Sequence, residues 1–283
     1  MSTVGAGAPA VRAATRMFQG DREIHALPAD SRARLYGDGL FETMRAHAGD
    51  VPWWRAHWAR LSRDAARLRI PMPSERRVHD ALRACLDGAG GVVRLQLERG
   101  PGARGYAPVE DAEPVWSIAV HPAPQTGPPL VLRWCETRLA IQPALAGMKH
   151  CNRLEQVLAR AEWQGAVLPA DDGLMLDTDG GVVCATSANV FVHVDDEWLT
   201  PPVDRCGVRG VCRDWAMAAT DAREQRLGRE DVERADALFL CNAVRGILEV
   251  ARLGDRAWSP DPRIARLRAR LAAEHPAFAL EYP

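Results

Sequence analysis

GMKHCNRLEQVLAR, residues 147–160, sets a lysine just ahead of a helix start. Asn152 is a residue type that caps helices, and Glu155 follows three positions later as in a capping box. Leu154, Val157, Leu158 and Ala161 recur at helical spacing and predict the apolar stripe of that helix. Lys149 then lies near the positive end of the helix dipole, which disfavours its ammonium form and favours the neutral amine that Schiff-base chemistry requires. Spacing alone leaves the ordinary alternative open, because most lysines ahead of helices are solvated surface residues.

Around this stretch the chain has 283 residues, enough for two lobes with a sizeable core, and a 47% hydrophobic content that suits a globular enzyme. A net charge of −1 argues against a nucleic-acid footprint or an acidic membrane surface, so the expected partner is a small molecule. Seven cysteines, odd in number and without a CxxC pair, suggest a reducing cytoplasm. The eight histidines form no spaced metal cluster, and Ser187 lacks the G-x-S-x-G elbow, which leaves metalloenzyme and hydrolase readings unsupported. Residues 1–17 are small and lack an apolar signal core, so they read as a flexible extension, and no run reaches membrane-spanning length.

Along the first lobe, expected over 18–121, residues 18–30 predict a short hairpin and YGDG at 36–39 a tight turn into a strand, Leu40 to Arg45. Thr43 turns its hydroxyl to one face of that strand, as an ordinary strand threonine does. Trp54, Trp58, Leu61, Ala65 and Leu68 form the buried stripe of an amphipathic helix, with Arg60 one step off it beside His57 and Asp64. By spacing Arg60 is a solvated arginine or, reaching inwards, a planar fork for phosphate. Val93, Leu95 and Leu97 alternate with polar residues in a strand that feeds RGPGARGY, 99–106. Without a Walker lysine this is no phosphate loop; it is a structural loop or a mobile rim that presents Arg104 and Tyr106 to a dicarboxylate substrate.

A strand at 115–120 ends in PAPQTGPP, 122–129, whose prolines predict the linker to a second lobe, 130–283. That lobe opens with a strand at 130–135. Beyond the lysine helix, strands around 173–177, 182–183 and 189–194 predict an antiparallel meander, and Asp195-Asp196 its next turn. GVRGVCR, 207–213, begins a helix running to about Ala219, whose first amides make an anion site. A strand at 236–241 follows, and the arginine-rich helix at 262–275 predicts a solvated face.

The lysine segment is one of several ordered matches. DSR at 30–32, YGDGLFETMR at 36–45, HWARL at 57–61, RGPGARGY at 99–106, SANVF at 187–191, GVRGVCR at 207–213 and CNAVRG at 241–246 accompany it. Together they resemble the fold type IV pyridoxal-phosphate enzymes, the class of branched-chain and D-amino-acid aminotransferases, and within it the aminodeoxychorismate lyases. The resemblance spans roughly residues 18–250. It implies a two-lobed α/β (α+β) fold, D-amino-acid aminotransferase-like, with a homodimer completing a pocket between the lobes.

The resemblance also implies pyridoxal 5'-phosphate in Schiff-base linkage to Lys149 and conversion of 4-amino-4-deoxychorismate to 4-aminobenzoate and pyruvate in folate synthesis. It implies phosphate contacts from Arg60 and the amides of Val211 and Cys212, a third set from Asn242 and Ala243, and a cofactor contact from Asn189. Thr43 becomes a candidate catalytic residue, and Tyr36, Arg104 and Tyr106 candidate substrate contacts. One position departs. Five residues before Asn189, where the class carries a glutamate that pairs with the pyridine nitrogen, stands Cys184, and a buried neutral thiol does not supply that charge. Two alternatives stay open, an amino-acid aminotransferase using the same lysine and a non-catalytic paralogue with a degraded cofactor site.

Overall fold

The computed structural model describes residues 14–102, 105–108, 112–165 and 170–279. The chain forms two compact units that divide at Pro124/Gln125, inside the proline-rich stretch 122–129.

The first unit runs β1 (Ala14–Gln19), β2 (Arg22–Ile24), α1 (Arg32–Tyr36), β3 (Gly39–Ala46), α2 (Trp54–Leu68), α3 (Glu75–Leu86), β4 (Gly91–Glu98) and β5 (Val115–His121). Its five strands form one antiparallel sheet in the order β2-β1-β5-β4-β3. Period-2 alternation sends Leu40 and Met44 of β3, and Val93, Leu95 and Leu97 of β4, into a core closed by Leu61 and Ala65 of α2 and Val78, Leu82 and Leu86 of α3. Leu61 is fully buried, and cutting it to alanine costs about 2–5 kcal/mol. Phe18 stacks on Trp116 with ring centroids 4.0 Å apart. Of the extension expected over 1–17, residues 1–13 lie outside the described residues, while those from Ala14 onward pair with β5, Ala14 opposite Val120. Main-chain pairing with an edge, rather than an apolar pattern, recruits them.

The second unit runs β6 (Leu130–Trp134), α4 (Leu154–Ala161), β7 (Asp172–Leu176), β8 (Val182–Ala185), β9 (Asn189–Val194), β10 (Glu197–Thr200), α5 (Val211–Thr220), β11 (Arg223–Glu224), α6 (Arg229–Glu233), β12 (Ala237–Asn242), β13 (Gly246–Leu253), β14 (Arg256–Ala257) and α7 (Pro262–Glu274). Its mixed sheet has the order β11-β10-β9-β12-β13-β6-β7-β8, with β14 on β13. The pairs β13/β6, β6/β7 and β10/β11 are parallel.

Three expectations change in this unit. The meander breaks after the β7/β8 hairpin, because β9 takes β10 and β12 as ladder partners. The buried Asp172 carboxylate accepts from the Thr186 amide (3.1 Å), the Thr186 hydroxyl and the Ser187 hydroxyl (2.7 Å), which turns the chain out of β8. Second, α7 is more than a solvated face, for it buries Ile264, Leu267 and Leu271. Third, α4 begins at Leu154 with Arg153, not Asn152, at its N-cap, and Glu155 accepts from the Ala140 amide (2.7 Å) instead of closing a capping box. The predicted stripe also faces outward: Leu154, Val157 and Leu158 are 75%, 59% and 60% exposed, while Ala159 is the residue that packs inward.

Candidate active site

In the second unit the lysine segment is tied to the approach of α5 by main chain. Gly147 forms a parallel bridge with Val208, its amide donating to Gly207 O (3.1 Å) and its carbonyl accepting from the Arg209 amide (3.0 Å). Lys149, half-buried, sits two residues beyond this bridge. Asn189 fastens the same loop, its side-chain amide donating to Val208 O (2.9 Å). Gly210, the N-cap of α5, brings no side chain to cap the helix, so the amides of Val211 and Cys212 open an anion-binding end. Only glycine suits two positions here. Gly207 has φ +83°, and a Cβ on Gly210 would fall 2.2 Å from Asn189 Oδ1. Asn242 closes the adjoining β12–β13 turn: its carbonyl oxygen accepts from the amides of Val244 (3.0 Å) and Arg245 (2.8 Å), and its amide donates to Ser187 O (3.3 Å). Ala243 is half-buried in that turn.

Arg153 brackets the lysine, its Nε donating to His150 O (2.9 Å) and its Nη2 to Met148 O (3.2 Å). The residue after the lysine is therefore a neutral imidazole. Burial, reinforced by the charges of Arg153 and Lys149, brings His150 down to about 4. Cys184 lies on β8 among Cys135, Met175, Val183 and Cys206, and burial, with its thiol neighbour Cys206, pushes its thiol up to about 12. It is uncharged at physiological pH.

The remaining candidates belong to the first unit. Thr43 is half-buried on β3 directly opposite Arg94 of β4, on the face away from the core, since Glu42 and Met44 take the inward positions. Arg60 is no solvated arginine. It is 5% exposed, and its fork grips Glu42, Nε donating to Oε1 (2.8 Å) and Nη2 to Oε2. His57 Nδ1 lies 2.7 Å from the same carboxylate. Tyr36 and Tyr106 meet edge-on with ring centroids 5.4 Å apart, Tyr106 being 85% exposed. Arg104 lies outside the described residues. In the described part of its loop, Arg32 donates to the carbonyls of Gly105, Tyr106 and Ala107.

Glu42, Arg32 and Arg153 escaped the sequence reading. Glu42 left a trace, a carboxylate at an inward position between Leu40 and Met44, and His57, Arg60 and Asp64 crowd the matching side of α2. No cluster of described residues suits a metal ion.

The chain belongs to the amino-transferase class IV family, whose model matches residues 39–253. It is 33% identical over 260 residues to aminodeoxychorismate lyase of Vibrio harveyi, covering 87% of this chain and 94% of that one. The crystal structure of 4-amino-4-deoxychorismate lyase from Pseudomonas aeruginosa superposes with a TM-score of 0.85 at 35% identity, covering 92% and 99% of the two chains. A branched-chain aminotransferase from Thermoproteus uzoniensis shares the fold, with a TM-score of 0.81 at 18% identity and coverage of 93% and 96%.

Proposed function

We propose that this chain is a pyridoxal-phosphate-dependent lyase that converts 4-amino-4-deoxychorismate to 4-aminobenzoate and pyruvate, a step of folate synthesis. The observation that supports the reading is the main-chain bridge that brings the segment of Lys149 alongside the glycine-lined lead into α5. The amine and the cradle fit pyridoxal phosphate. The position of Cys184 fits it less fully, being neutral where the class has a carboxylate.

In this reading Lys149 holds the cofactor covalently, the amides of Val211 and Cys212 and the Arg60 guanidinium hold its phosphate, and Asn189, Asn242 and Ala243 shape the surrounding turns. Bound pyridoxal phosphate supplies an electron sink. With the cofactor bound, the Lys149 amine would be the base that takes the proton from the carbon bearing nitrogen. Thr43 positions a water or proton nearby, and Tyr36, Arg104 and Tyr106 meet the substrate carboxylates. The enolpyruvyl group leaves and gains a proton to become pyruvate while the ring becomes aromatic. The two products together contain every atom of the substrate, so neither water nor an external oxidant is consumed.

The exposed stripe Leu154, Val157 and Leu158 lies on one face of α4 and supports a homodimer, because an apolar patch on a soluble enzyme commonly marks a subunit contact. None of the seven cysteines is in a disulfide, which supports a cytoplasmic setting, and no described helix is long and apolar enough to cross a membrane.

The test is to incubate the purified protein with pyridoxal phosphate, record its visible absorption, and follow pyruvate release from aminodeoxychorismate with lactate dehydrogenase. An absorption band and stoichiometric pyruvate are expected. Absence of the band, or transfer of amino groups to 2-oxoglutarate faster than pyruvate release, would overturn the reading.

A further inference from the structure

We propose that Arg32 is a positioning residue that fixes the Gly105–Ala107 loop so that Tyr106 is presented to the substrate; this rests on the reading of that loop as the substrate rim. Arg32 opens α1 and is 4% exposed. Its Nε donates to Asp38 Oδ2 (2.8 Å), its Nη1 to Gly105 O (3.0 Å) and Ala107 O (3.3 Å), and its Nη2 to Tyr106 O (2.9 Å). The same guanidinium lies 5.0 Å over the ring of Tyr36, which meets Tyr106 at its edge. Arg99 grips the same carboxylate, Nε donating to Oδ2 and Nη2 to Oδ1, and its Nη1 and Nη2 also take the carbonyls of Arg69 and Leu68 at the end of α2. One carboxylate thus anchors two buried cations, and through them a loop and a helix end.

The pattern is one of presentation. A buried cation that served only to cover the loop would leave its aromatic packed; here the carbonyls are fixed while Tyr106 stays 85% exposed. Gly105, at φ +97°, adopts the left-handed conformation that turns its carbonyl toward Arg32. Fixing a contact loop in advance removes part of the ordering cost that binding otherwise bears.

The test compares the parent holoenzyme with Arg32→Ala, Arg32→Lys, Tyr106→Ala and the Arg32→Ala/Tyr106→Ala pair, by hydrogen exchange of the 105–108 backbone and by lyase kinetics. Losing charged hydrogen bonds to the loop should speed its exchange by about tenfold or more and raise KM by about tenfold, with kcat and the cofactor absorption within about twofold. Arg32→Lys, which retains the pairing with Asp38, should recover part of both. The double variant should show a KM no higher than Tyr106→Ala alone. Unchanged exchange, unchanged KM, or additive effects in the pair would overturn the proposal. A parent that releases no pyruvate overturns the lyase reading instead, and the exchange arm still decides whether Arg32 holds the loop.

Discussion

Replacing Glu42 with glutamine tests one of the most deeply buried ionisable groups of the first unit. Glu42 is 1% exposed, so burial by itself would raise its carboxyl. The Arg60 charge, with the hydrogen bond and charge of His57, more than reverses this and holds it at about 2 against an ordinary 4.5. A carboxyl depressed by folding contributes stability that is fully present above pH 4.5 and is lost as pH falls through about 2. At about 1.4 kcal/mol per pH unit the drop corresponds to about 3 kcal/mol. Glutamine also leaves Arg60 buried without its carboxylate, and breaking a buried pair costs about 3–5 kcal/mol. Urea unfolding of the holoenzyme, followed by tryptophan fluorescence, should show Glu42→Gln less stable by about 3–5 kcal/mol at pH 7. The gap should narrow between pH 4.5 and pH 3, because only the parent then loses this contribution. A gap below about 1 kcal/mol at pH 7, or one that does not change with pH, would refute the reasoning.

Borohydride reduction of the holoenzyme and peptide mass mapping should find the pyridoxyl group on Lys149, and Lys149→Ala should abolish turnover; a label on another lysine would exclude the assignment. Arg60→Ala should weaken cofactor affinity about ten- to a hundredfold, the effect of losing a charged hydrogen bond of about 1.5–3 kcal/mol, with Lys rescuing only in part because the fork is lost. Cys184→Glu should raise side transamination of alanine or glutamate while changing lyase turnover less, since lysis ends in an aromatic ring and tolerates a weaker sink; equal changes in both rates would speak against it. Leu158→Asp should shift sedimentation toward the monomer, and an unaltered sedimentation coefficient would remove α4 from the interface.

Much of the local structure could be read from local pattern. The alternation of β4, the tryptophan-led stripe of α2 and the glycine-flanked start of α5 each lie within a dozen or so residues, where periodicity and cap chemistry operate. What escaped depends on partners far along the chain. Arg32 reaches backbone oxygens 73 to 75 residues away, and a carbonyl oxygen leaves no mark in a sequence. Asp172 determines where β9 pairs through hydroxyls fourteen and fifteen residues on. The apolar spacing of α4 predicted a stripe correctly but not what it faces, because periodicity fixes which residues share a side and says nothing of whether that side is covered within one chain.

The bridge between Gly147 and Val208 bears on how such a chain can diverge. The interval from Lys149 to the first amides of α5 is counted along two backbones rather than held by the fit of surrounding side chains. Exchanges in the neighbouring core therefore change stability before they change that interval. Length is the unforgiving variable. One residue inserted between Val208 and Val211 would lengthen the lead into α5 by up to about 3.5 Å and displace the opening amides of α5 from the lysine segment.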